Sequence, residues 1–284
     1  MEYVTLSNGL RLPRVGMGLW AVREDEGVQS MLWAVEAGYR LFDTAMYYHN
    51  DEVLRRGVAA CGLPREELLI TSKIWPNDMV HGRLEGAFER HLKALGLDYL
   101  DLLLLHWPIG DVAESWKTLE KLYRQGRVRA IGVSNFLPRH LDLLAQTAEI
   151  PPMVNQLESR PYHIQQAAVD ESLHRGIAVE AWGPLGKGME LSDPVLVALG
   201  EKYGRSPAQI ILRWHIQRGL IVIPKSSHRE RLAQNLALFD FALSDADCAS
   251  IAALDRDESQ RFYPFEYDRE GFGQVPEDGL RPRP

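Results

Sequence analysis

Short apolar stretches alternate with amphipathic segments along most of the sequence, and this alternation limits the possible folds more than any other feature. The amphipathic segments repeat apolar residues at helical spacing, as in residues 83–95, which are followed by Gly96, a residue typical of a helix C-cap. The apolar stretches have the length and residue types of strands. Eight candidate strands span residues 14–18, 40–45, 68–74, 99–107, 128–134, 153–158, 177–181 and 220–224. Their order indicates repeated strand–helix units.

The candidate strands are expected to be parallel and covered on both faces. Residues 102–105 are all leucine and lack the alternation of apolar and polar side chains that a half-exposed strand shows. Eight parallel strands with crossover helices predict an α/β protein with a (β/α)8 TIM barrel, which usually takes about 250 residues. No Pro-, Gly- or Ser-rich linker interrupts the sequence, so residues 1–284 are predicted to form a single domain.

Both ends of the chain are expected to add to the barrel. Residues 3–6 and 10–12 form a candidate N-terminal β-hairpin, in which Asn8 and Gly9 are expected to make a type I′ turn. At the other end, residues 255–284 carry aromatic side chains among prolines. This composition fits a C-terminal loop over the barrel mouth and equally a loosely ordered terminus, and the sequence leaves both open.

Charge and composition exclude several classes of protein. With 32 basic and 39 acidic residues, the net charge of −7 argues against a general nucleic-acid binder. No stretch reaches the about 18 apolar residues of a membrane span, and the first residues lack the pattern of a signal peptide. The expectation is a cytoplasmic protein with no membrane partner. The two cysteines, Cys61 and Cys248, lie far apart and suggest no disulfide framework.

The sequence lacks the common motifs for metals and nucleotide-binding loops. Its nine histidines include no His-x-His pair and no His-Glu-x-x-His sequence, so no metal site is predicted. A P-loop, a Gly-x-Ser-x-Gly elbow and a complete Gly-x-Gly-x-x-Gly turn are absent as well. A nucleotide would have to be bound in another way.

Ionisable side chains stand at the ends of three consecutive candidate strands. Asp43 lies near the end of the second strand with Tyr48 just beyond it, Lys73 lies at the end of the third, and His106 at the end of the fourth. Each has an ordinary structural alternative, because a carboxylate can cap a turn, a tyrosine can pack and a lone histidine is more often a hydrogen-bonded structural residue. In a TIM barrel, however, the carboxyl ends of the strands meet at one mouth, where catalytic groups lie. Together the four side chains predict an active site.

Several segments resemble signatures of the aldo-keto reductase family. In the family's order they are residues 38–45 (GYRLFDTA), 48–52 (YHNDE), 71–75 (TSKIW), 104–108 (LLHWP), 132–136 (GVSNF), 155–156 (NQ), 183–186 (GPLG) and 223–226 (IPKS). The agreement runs from Val4 to Leu254, and the family's fold is the same (β/α)8 barrel. The resemblance implies an NADPH-dependent oxidoreductase that reduces the carbonyl group of a small-molecule aldehyde or ketone by hydride transfer.

The resemblance also implies a role for each strand-end residue. Tyr48 would be the general acid that protonates the carbonyl oxygen. A phenol with a pKa of about 10 is a weak acid, and a nearby Lys73 ammonium would favour the phenolate and ease release of the proton. Asp43 would hold Lys73 in place. His106 would donate a hydrogen bond that orients the carbonyl.

The same resemblance implies contacts to the nicotinamide end of the coenzyme. Ser134, Asn135 and Gln156 match positions that contact the carboxamide, and Trp182 falls where an aromatic ring stacks on the nicotinamide. Trp182 with the following Gly-Pro-Leu-Gly resembles a bacterial branch of the family that includes the 2,5-diketo-D-gluconic acid reductases.

The choice of coenzyme is expected to depend on a small group of polar residues. Lys225, Ser226 and Arg231 suit an adenosine 2′-phosphate and therefore favour NADPH, with NADH as a weaker alternative. The other positions that match the family's pyrophosphate and adenine contacts are Gly183, Leu185, Gly186, Lys187, Gln234 and Asn235.

Large side chains are expected to line the substrate pocket: Trp20, Met46, Tyr47, Trp75 and Trp107, with the aromatic residues of the tail near residues 262–265. Such walls favour a carbonyl compound with an apolar or flat portion.

Two other functions stay open at the level of the sequence. A regulatory barrel that binds the nucleotide with little turnover would use the same coenzyme residues. A hydrolase or isomerase that works with Asp43 and His106 alone would leave Asn135, Gln156 and Lys225 without a role. No extended apolar surface pattern stands out, so a monomer is expected.

Overall fold

Strands and helices alternate along residues 1–79, 82–256 and 260–262, which the computed structural model describes. The strands are β1 (Tyr3–Thr5), β2 (Arg11–Pro13), β3 (Met17–Gly18), β4 (Leu41–Asp43), β5 (Leu69–Ile74), β6 (Leu102–Leu105), β7 (Ile131–Ser134), β8 (Val154–Glu158), β9 (Ala178–Trp182) and β10 (Ile221–Val222). The helices are α1 (Glu24–Ala37), α2 (Asp51–Ala60), α3 (Leu84–Leu95), α4 (Val112–Arg124), α5 (Pro138–Ala145), α6 (Gln166–His174), α7 (Pro194–Tyr203), α8 (Pro207–Gln217), α9 (Arg229–Leu236) and α10 (Asp245–Ala252).

The strands β3 to β10 form one parallel sheet in which each strand pairs with the next along the chain. Backbone hydrogen bonds then join the first strand region to the last, because the Gly16 amide donates to the Val222 carbonyl at 2.8 Å and the Val222 amide donates to the Arg14 carbonyl at 2.9 Å. The sheet is therefore closed, and the predicted (β/α)8 barrel is confirmed. All four leucines of β6 are fully buried, as a strand covered on both faces requires.

Two helices begin or end at capping residues that can be recognised in the sequence. Gly96 has φ 66° after α3, and its amide donates to the Leu92 and Lys93 carbonyls, as predicted for a C-cap. At the start of α8, the Ser206 hydroxyl accepts from the Gln209 amide while the Gln209 side chain accepts from the Ser206 amide. These short-range bonds fix where the helices meet the loops of the barrel.

The N-terminal hairpin is present, but its turn differs from the expected type I′. The Gly9 amide donates to the Leu6 carbonyl at 2.9 Å and the Leu6 amide donates to the Leu10 carbonyl at 2.8 Å, which makes a three-residue loop. Gly9 has φ 87°, whereas Asn8 keeps a negative φ. The Asn8 side chain instead accepts from the Leu10 amide and donates to the Arg129 carbonyl. The prediction of a type I′ turn was therefore wrong.

At the C-terminal end, residues 260–262 reach the carboxyl ends of the barrel strands. The Phe262 amide donates to the Glu158 carboxylate at 3.2 Å, and its ring lies 6.4 Å from the Trp182 ring between centroids. The other tail aromatics, among them Tyr263 and Phe265, lie outside the described residues. In the part of the chain that is described, no helix combines the length and the apolar run that a membrane span needs.

Candidate active site

The four predicted strand-end residues come together at one end of the barrel. Asp43 ends β4, Lys73 is the second-to-last residue of β5, His106 follows β6, and Tyr48 ends a short 3-10 helix after β4. The Lys73 ammonium donates to Asp43 Oδ1 at 2.6 Å and to the Thr44 carbonyl at 2.8 Å, and it lies 3.2 Å from Tyr48 Oη. An ammonium has three protons, so this geometry uses each of them.

A buried asparagine that sequence reasoning missed supports the loop that carries Tyr48. Asn50 accepts from the Thr44 hydroxyl at 2.7 Å and donates to the Leu19 carbonyl at 2.8 Å. Its two bonds join the loops after β3 and β4. Asn50 thereby ties down both ends of the segment from Thr44 to Asn50, which contains Tyr48.

Electrostatics at this end of the barrel are set by burial and by one ion pair. Burial disfavours the Lys73 ammonium, but Asp43 and Tyr48 outweigh that effect, so the pKa of Lys73 lies above its usual value. Burial raises the pKa of Asp43, while Lys73 and Gln156 act in the opposite direction. Burial, and then the charge of Lys73, hold the pKa of His106 well below its usual value. His106 is therefore a neutral imidazole that offers one N–H donor.

The barrel interior contains a second carboxyl group that sequence reasoning missed. Glu180 in β9 has no exposed surface, and its Oε1 accepts from Gln156 Nε2, which also donates to Asp43 Oδ2 at 2.8 Å. Burial, together with the Asp43 charge, raises the pKa of Glu180 to about 8. A charged residue within the otherwise apolar candidate strand 177–181 was the signal that could have found it.

The amide side chains predicted for the nicotinamide end lie beside this cluster. Asn135 donates to the His106 carbonyl and to Ser134 Oγ, each at 3.0 Å, and accepts from Trp182 Nε1 at 2.9 Å. Its backbone takes φ 63°, a left-handed conformation that asparagine tolerates better than most residues. Ser134 Oγ donates to the Gln156 carbonyl at 3.0 Å. The side chains of Ser134, Asn135 and Trp182 thus form one hydrogen-bonded wall, which is tied to the His106 and Gln156 carbonyls.

The predicted coenzyme residues share one cleft of about 770 Å³ with the strand-end residues. The predicted residues that line it are Trp20, Asp43, Tyr47, Tyr48, Trp75, His106, Trp107, Ser134, Asn135, Gln156, Trp182, Gly183, Leu185, Lys187, Lys225, Ser226, Arg231, Gln234 and Asn235. Three predicted residues lie outside this lining. Lys73 is buried behind Tyr48, Met46 packs against the barrel core, and Gly186 is buried beside Glu190.

One end of the cleft is basic. Lys225 and Ser226 follow β10, and His228 and Arg231 lie at the N-terminus of α9, whose free amides favour an anion. Neighbouring Arg229 points elsewhere, since its guanidinium pairs with Glu36 at 2.5 Å. A further basic group on the cleft wall, Lys187, lies 4.3 Å from the centre of the Phe262 ring.

Arg160 anchors the C-terminal segment beside the cleft, a contact that no local sequence signal indicates. Its guanidinium is buried between Glu158 and Glu190, donates to the Gln260 carbonyl and lies 4.3 Å from the centre of the Phe262 ring. Phe262 is thus a wall of the cleft.

Within the described residues, no cluster of three or more histidine, cysteine and acidic side chains is arranged to hold a metal ion.

A model of the Aldo/keto reductase family matches residues 14–256. The chain belongs to the aldo/keto reductase family. Its resemblance to that family, predicted from the sequence, is confirmed.

Similar aldo/keto reductases are known from bacteria and from animals. The chain is 46% identical over 259 residues to glyoxal reductase from Bacillus subtilis, covering 90% of this chain and 94% of that protein. It is 44% identical over 255 residues to an aldo-keto reductase from Mycolicibacterium smegmatis, covering 89% and 93%. Among solved structures, the Bombyx mori aldo-keto reductase in complex with NADP has a TM-score of 0.89 at 34% identity and covers 95% of this chain and 98% of that one.

This aldo/keto reductase is an NADP(H)-dependent oxidoreductase that reduces carbonyl groups, as the sequence predicted. The cleft fits such a coenzyme. It offers hydrogen-bonding side chains at Ser134, Asn135 and Gln156, and basic groups at Lys225 and Arg231 for phosphate. Its volume lies within the range of about 300–1,000 Å³ that small-molecule sites occupy. The particular likeness to diketogluconic acid reductases stays a prediction.

Proposed function

We propose that Tyr48, Lys73, Asp43 and His106 carry out carbonyl reduction in this aldo/keto reductase. The observation that carries the proposal is the Lys73 ammonium, which is buried between the Asp43 carboxylate at 2.6 Å and the Tyr48 hydroxyl at 3.2 Å. Tyr48 also lines the cleft, where a substrate would meet it.

Each of the four residues has a distinct task in the proposed reaction. NADPH, when bound, supplies the hydride that goes to the carbonyl carbon. Tyr48 Oη gives its proton to the carbonyl oxygen, and the Lys73 ammonium stabilises the phenolate that results. Asp43 holds Lys73 and balances its charge. Neutral His106 donates a hydrogen bond to the oxygen as negative charge develops there.

The coenzyme would lie along the cleft from the amide wall to the start of α9. Ser134, Asn135 and Gln156 would hold the carboxamide, and Trp182 would cover the nicotinamide ring. The pyrophosphate and the adenine would be held by Gly183, Leu185, Gly186, Lys187, Gln234 and Asn235. Lys225, Ser226 and Arg231 would bind the 2′-phosphate, so that NADH is the weaker coenzyme.

The proposed substrate is a small aldehyde or ketone with a flat or apolar portion. The Tyr47 and Trp75 rings are tilted by 32° with centroids 4.3 Å apart, and Trp20 meets Tyr48 edge-on at 4.9 Å. Trp107 adds a further aromatic wall. The likeness to a glyoxal reductase favours short dicarbonyl compounds as the first substrates to test.

We also infer that residues 1–284 form a single domain and that the protein is a cytoplasmic monomer. The barrel sheet closes with strands from both halves of the chain, and the family model spans residues 14–256, which supports one folding unit. Sedimentation velocity on the full chain tests the inferred monomeric state. A species of twice the mass at micromolar concentration would contradict that inference.

The loss of NADPH absorbance in the presence of an aldehyde panel tests the proposed function. The panel contains methylglyoxal, nitrobenzaldehyde and diketogluconate, and turnover is expected with at least one of them. A regulatory barrel would bind NADPH tightly without consuming it. A hydrolase or isomerase that uses Asp43 and His106 would convert its substrate without any coenzyme.

A further inference from the structure

Glu180 is a buried carboxyl group that the proposed reaction does not use. It lies in β9 and has no exposed surface. Burying a carboxyl group is unfavourable unless hydrogen bonds or a cation compensate. The nearby cation, Lys73, is already bonded to Asp43 at 2.6 Å. Another contact must explain why a glutamate is accommodated at this point of the barrel.

The side-chain amide of Gln156 lies between the two carboxyl groups. Its Nε2 donates to Asp43 Oδ2 at 2.8 Å and to Glu180 Oε1. An amide nitrogen carries two protons, so these two acceptors use both of them. Gln156 also lines the cleft, and its amide oxygen is the polar atom that is left for a ligand there.

We propose that Glu180 is a positioning residue that, together with Asp43, fixes the Gln156 amide with its oxygen turned toward the coenzyme. The proposal rests on the proposed function, in which Gln156 contacts the nicotinamide carboxamide. In this orientation the oxygen accepts from the carboxamide NH2 group. The reversed amide would set its oxygen against the Asp43 carboxylate and lose both of its hydrogen bonds.

Asp43 alone would leave the second Gln156 proton without an acceptor, and Glu180 supplies that acceptor. The neighbouring amide is fixed in the same way, because Asn135 uses both nitrogen protons on the His106 carbonyl and Ser134 Oγ. Glu180 can accept this hydrogen bond in either protonation state. Burial raises the pKa of Glu180 to about 8, and the carbonyl oxygen of a protonated carboxyl group still accepts a hydrogen bond.

Binding of three nucleotides, measured by quenching of tryptophan fluorescence, tests the proposal. They are NADP+, its 3-acetylpyridine analogue, which has a methyl ketone without N–H in place of the carboxamide, and 2′,5′-ADP, which has no nicotinamide. We expect the wild-type protein to prefer NADP+ over the analogue by about fivefold, the effect of one hydrogen bond. In Glu180→Leu this preference falls below about twofold, while the Kd for 2′,5′-ADP stays unchanged. Glu180→Gln keeps a carbonyl acceptor and retains the preference.

Two further variants separate positioning from a general loss of structure. Gln156→Ala is expected to lose the preference as Glu180→Leu does. Glu120→Gln is the matched control, because Glu120 in α4 is also a buried carboxylate, but it accepts from the Glu149 and Ile150 amides and lies outside the cleft lining. We expect it to change the unfolding midpoint without changing the ratio of the two nucleotide affinities.

The outcomes distinguish this proposal from the proposed function. If the wild-type protein fails to bind NADP+, the assigned coenzyme site is wrong; if it binds NADP+ no better than the analogue, the contact of Gln156 with the carboxamide is wrong, and the role of Glu180 falls with it. If the preference is present in the wild type, lost in Gln156→Ala and kept in Glu180→Leu, the role of Glu180 alone is overturned.

A measurement on the wild-type protein covers the case in which Glu180→Leu does not fold. The two side-chain amide protons of Gln156 can be assigned by NMR from their disappearance in Gln156→Ala. Both are expected to exchange slowly with solvent, since both are hydrogen-bonded inside the barrel. A proton that exchanges as fast as that of an exposed glutamine would overturn the proposal.

Discussion

At the scale of single residues, the hydroxyl of Tyr48 is the group on which the proposed chemistry depends. Tyr48→Phe removes the proton donor but leaves the ring that packs against Trp20. A general acid typically contributes about 10²–10⁴-fold, so we expect kcat to fall by at least about a hundredfold while the Kd for NADPH stays within about twofold. Steady-state assays and fluorescence titration measure the two quantities. Tyr123→Phe makes the same chemical change on distant α4 and should leave kcat unaltered; a Tyr48→Phe enzyme with near-wild-type kcat would contradict the assignment.

Glu180 gives a second residue-scale prediction, on stability. Its pKa is about 8 in the folded protein and 4.5 as an ordinary glutamate, so between these values the folded state keeps a proton that the unfolded state has released. Rising pH therefore favours unfolding in this window. Relative to Glu180→Gln, the wild-type protein should lose up to about 1.4 kcal/mol of unfolding free energy per pH unit between about pH 5 and pH 8. Urea unfolding of both proteins measures it. A pH-independent difference would mean that the Glu180 pKa is not raised.

At the scale of secondary-structure elements, the sequence predicts where the strands lie but not where they end. Residues 40–45 form a candidate strand, yet β4 spans only Leu41–Asp43, and the Thr44 carbonyl just beyond it accepts from Lys73, which is distant in sequence. The four strand-end residues could be predicted, since strand order alone brings their positions to one mouth. The contacts of Arg160 with residues 260–262 could not, because nothing local to either segment indicates the other.

Close approach of neighbouring strands explains one glycine and gives an element-scale prediction. A Cβ on Gly132 in β7 would lie 2.5 Å from the Val154 carbonyl oxygen of β8, so the backbone would have to move. Gly132→Ala should therefore lower the unfolding free energy by about 1–3 kcal/mol. Gly86→Ala is the matched control in α3, where the nearest atom is the flexible Arg90 guanidinium at 3.3 Å, and it should stabilise by about 0.5–1 kcal/mol. Urea unfolding measures the change in unfolding free energy for each variant. Equal changes in the two variants would contradict a steric role for the missing Cβ of Gly132.

At the scale of the whole molecule, the net charge of −7 conceals a local concentration of positive charge. Lys225 and Arg231 lie together at one end of a cleft in an otherwise acidic protein. Such a patch attracts a phosphate over a distance that salt shortens to about 10 Å at 0.1 M ionic strength. A net negative charge disfavours other polyanions, and we expect the basic end of the cleft to attract the phosphate of one nucleotide.

This charge distribution predicts how the enzyme distinguishes its coenzymes. Arg231→Ala should raise the KM for NADPH by about tenfold or more, because a charge-assisted contact to the 2′-phosphate is lost, and should change the KM for NADH little. Added salt should raise the KM for NADPH more than that for NADH. Arg229→Ala is the matched control, since Arg229 pairs with Glu36 outside the cleft lining and its loss should alter neither constant. If Arg231→Ala raised both KM values equally, the guanidinium would be acting on the shared part of the nucleotide and not on the 2′-phosphate.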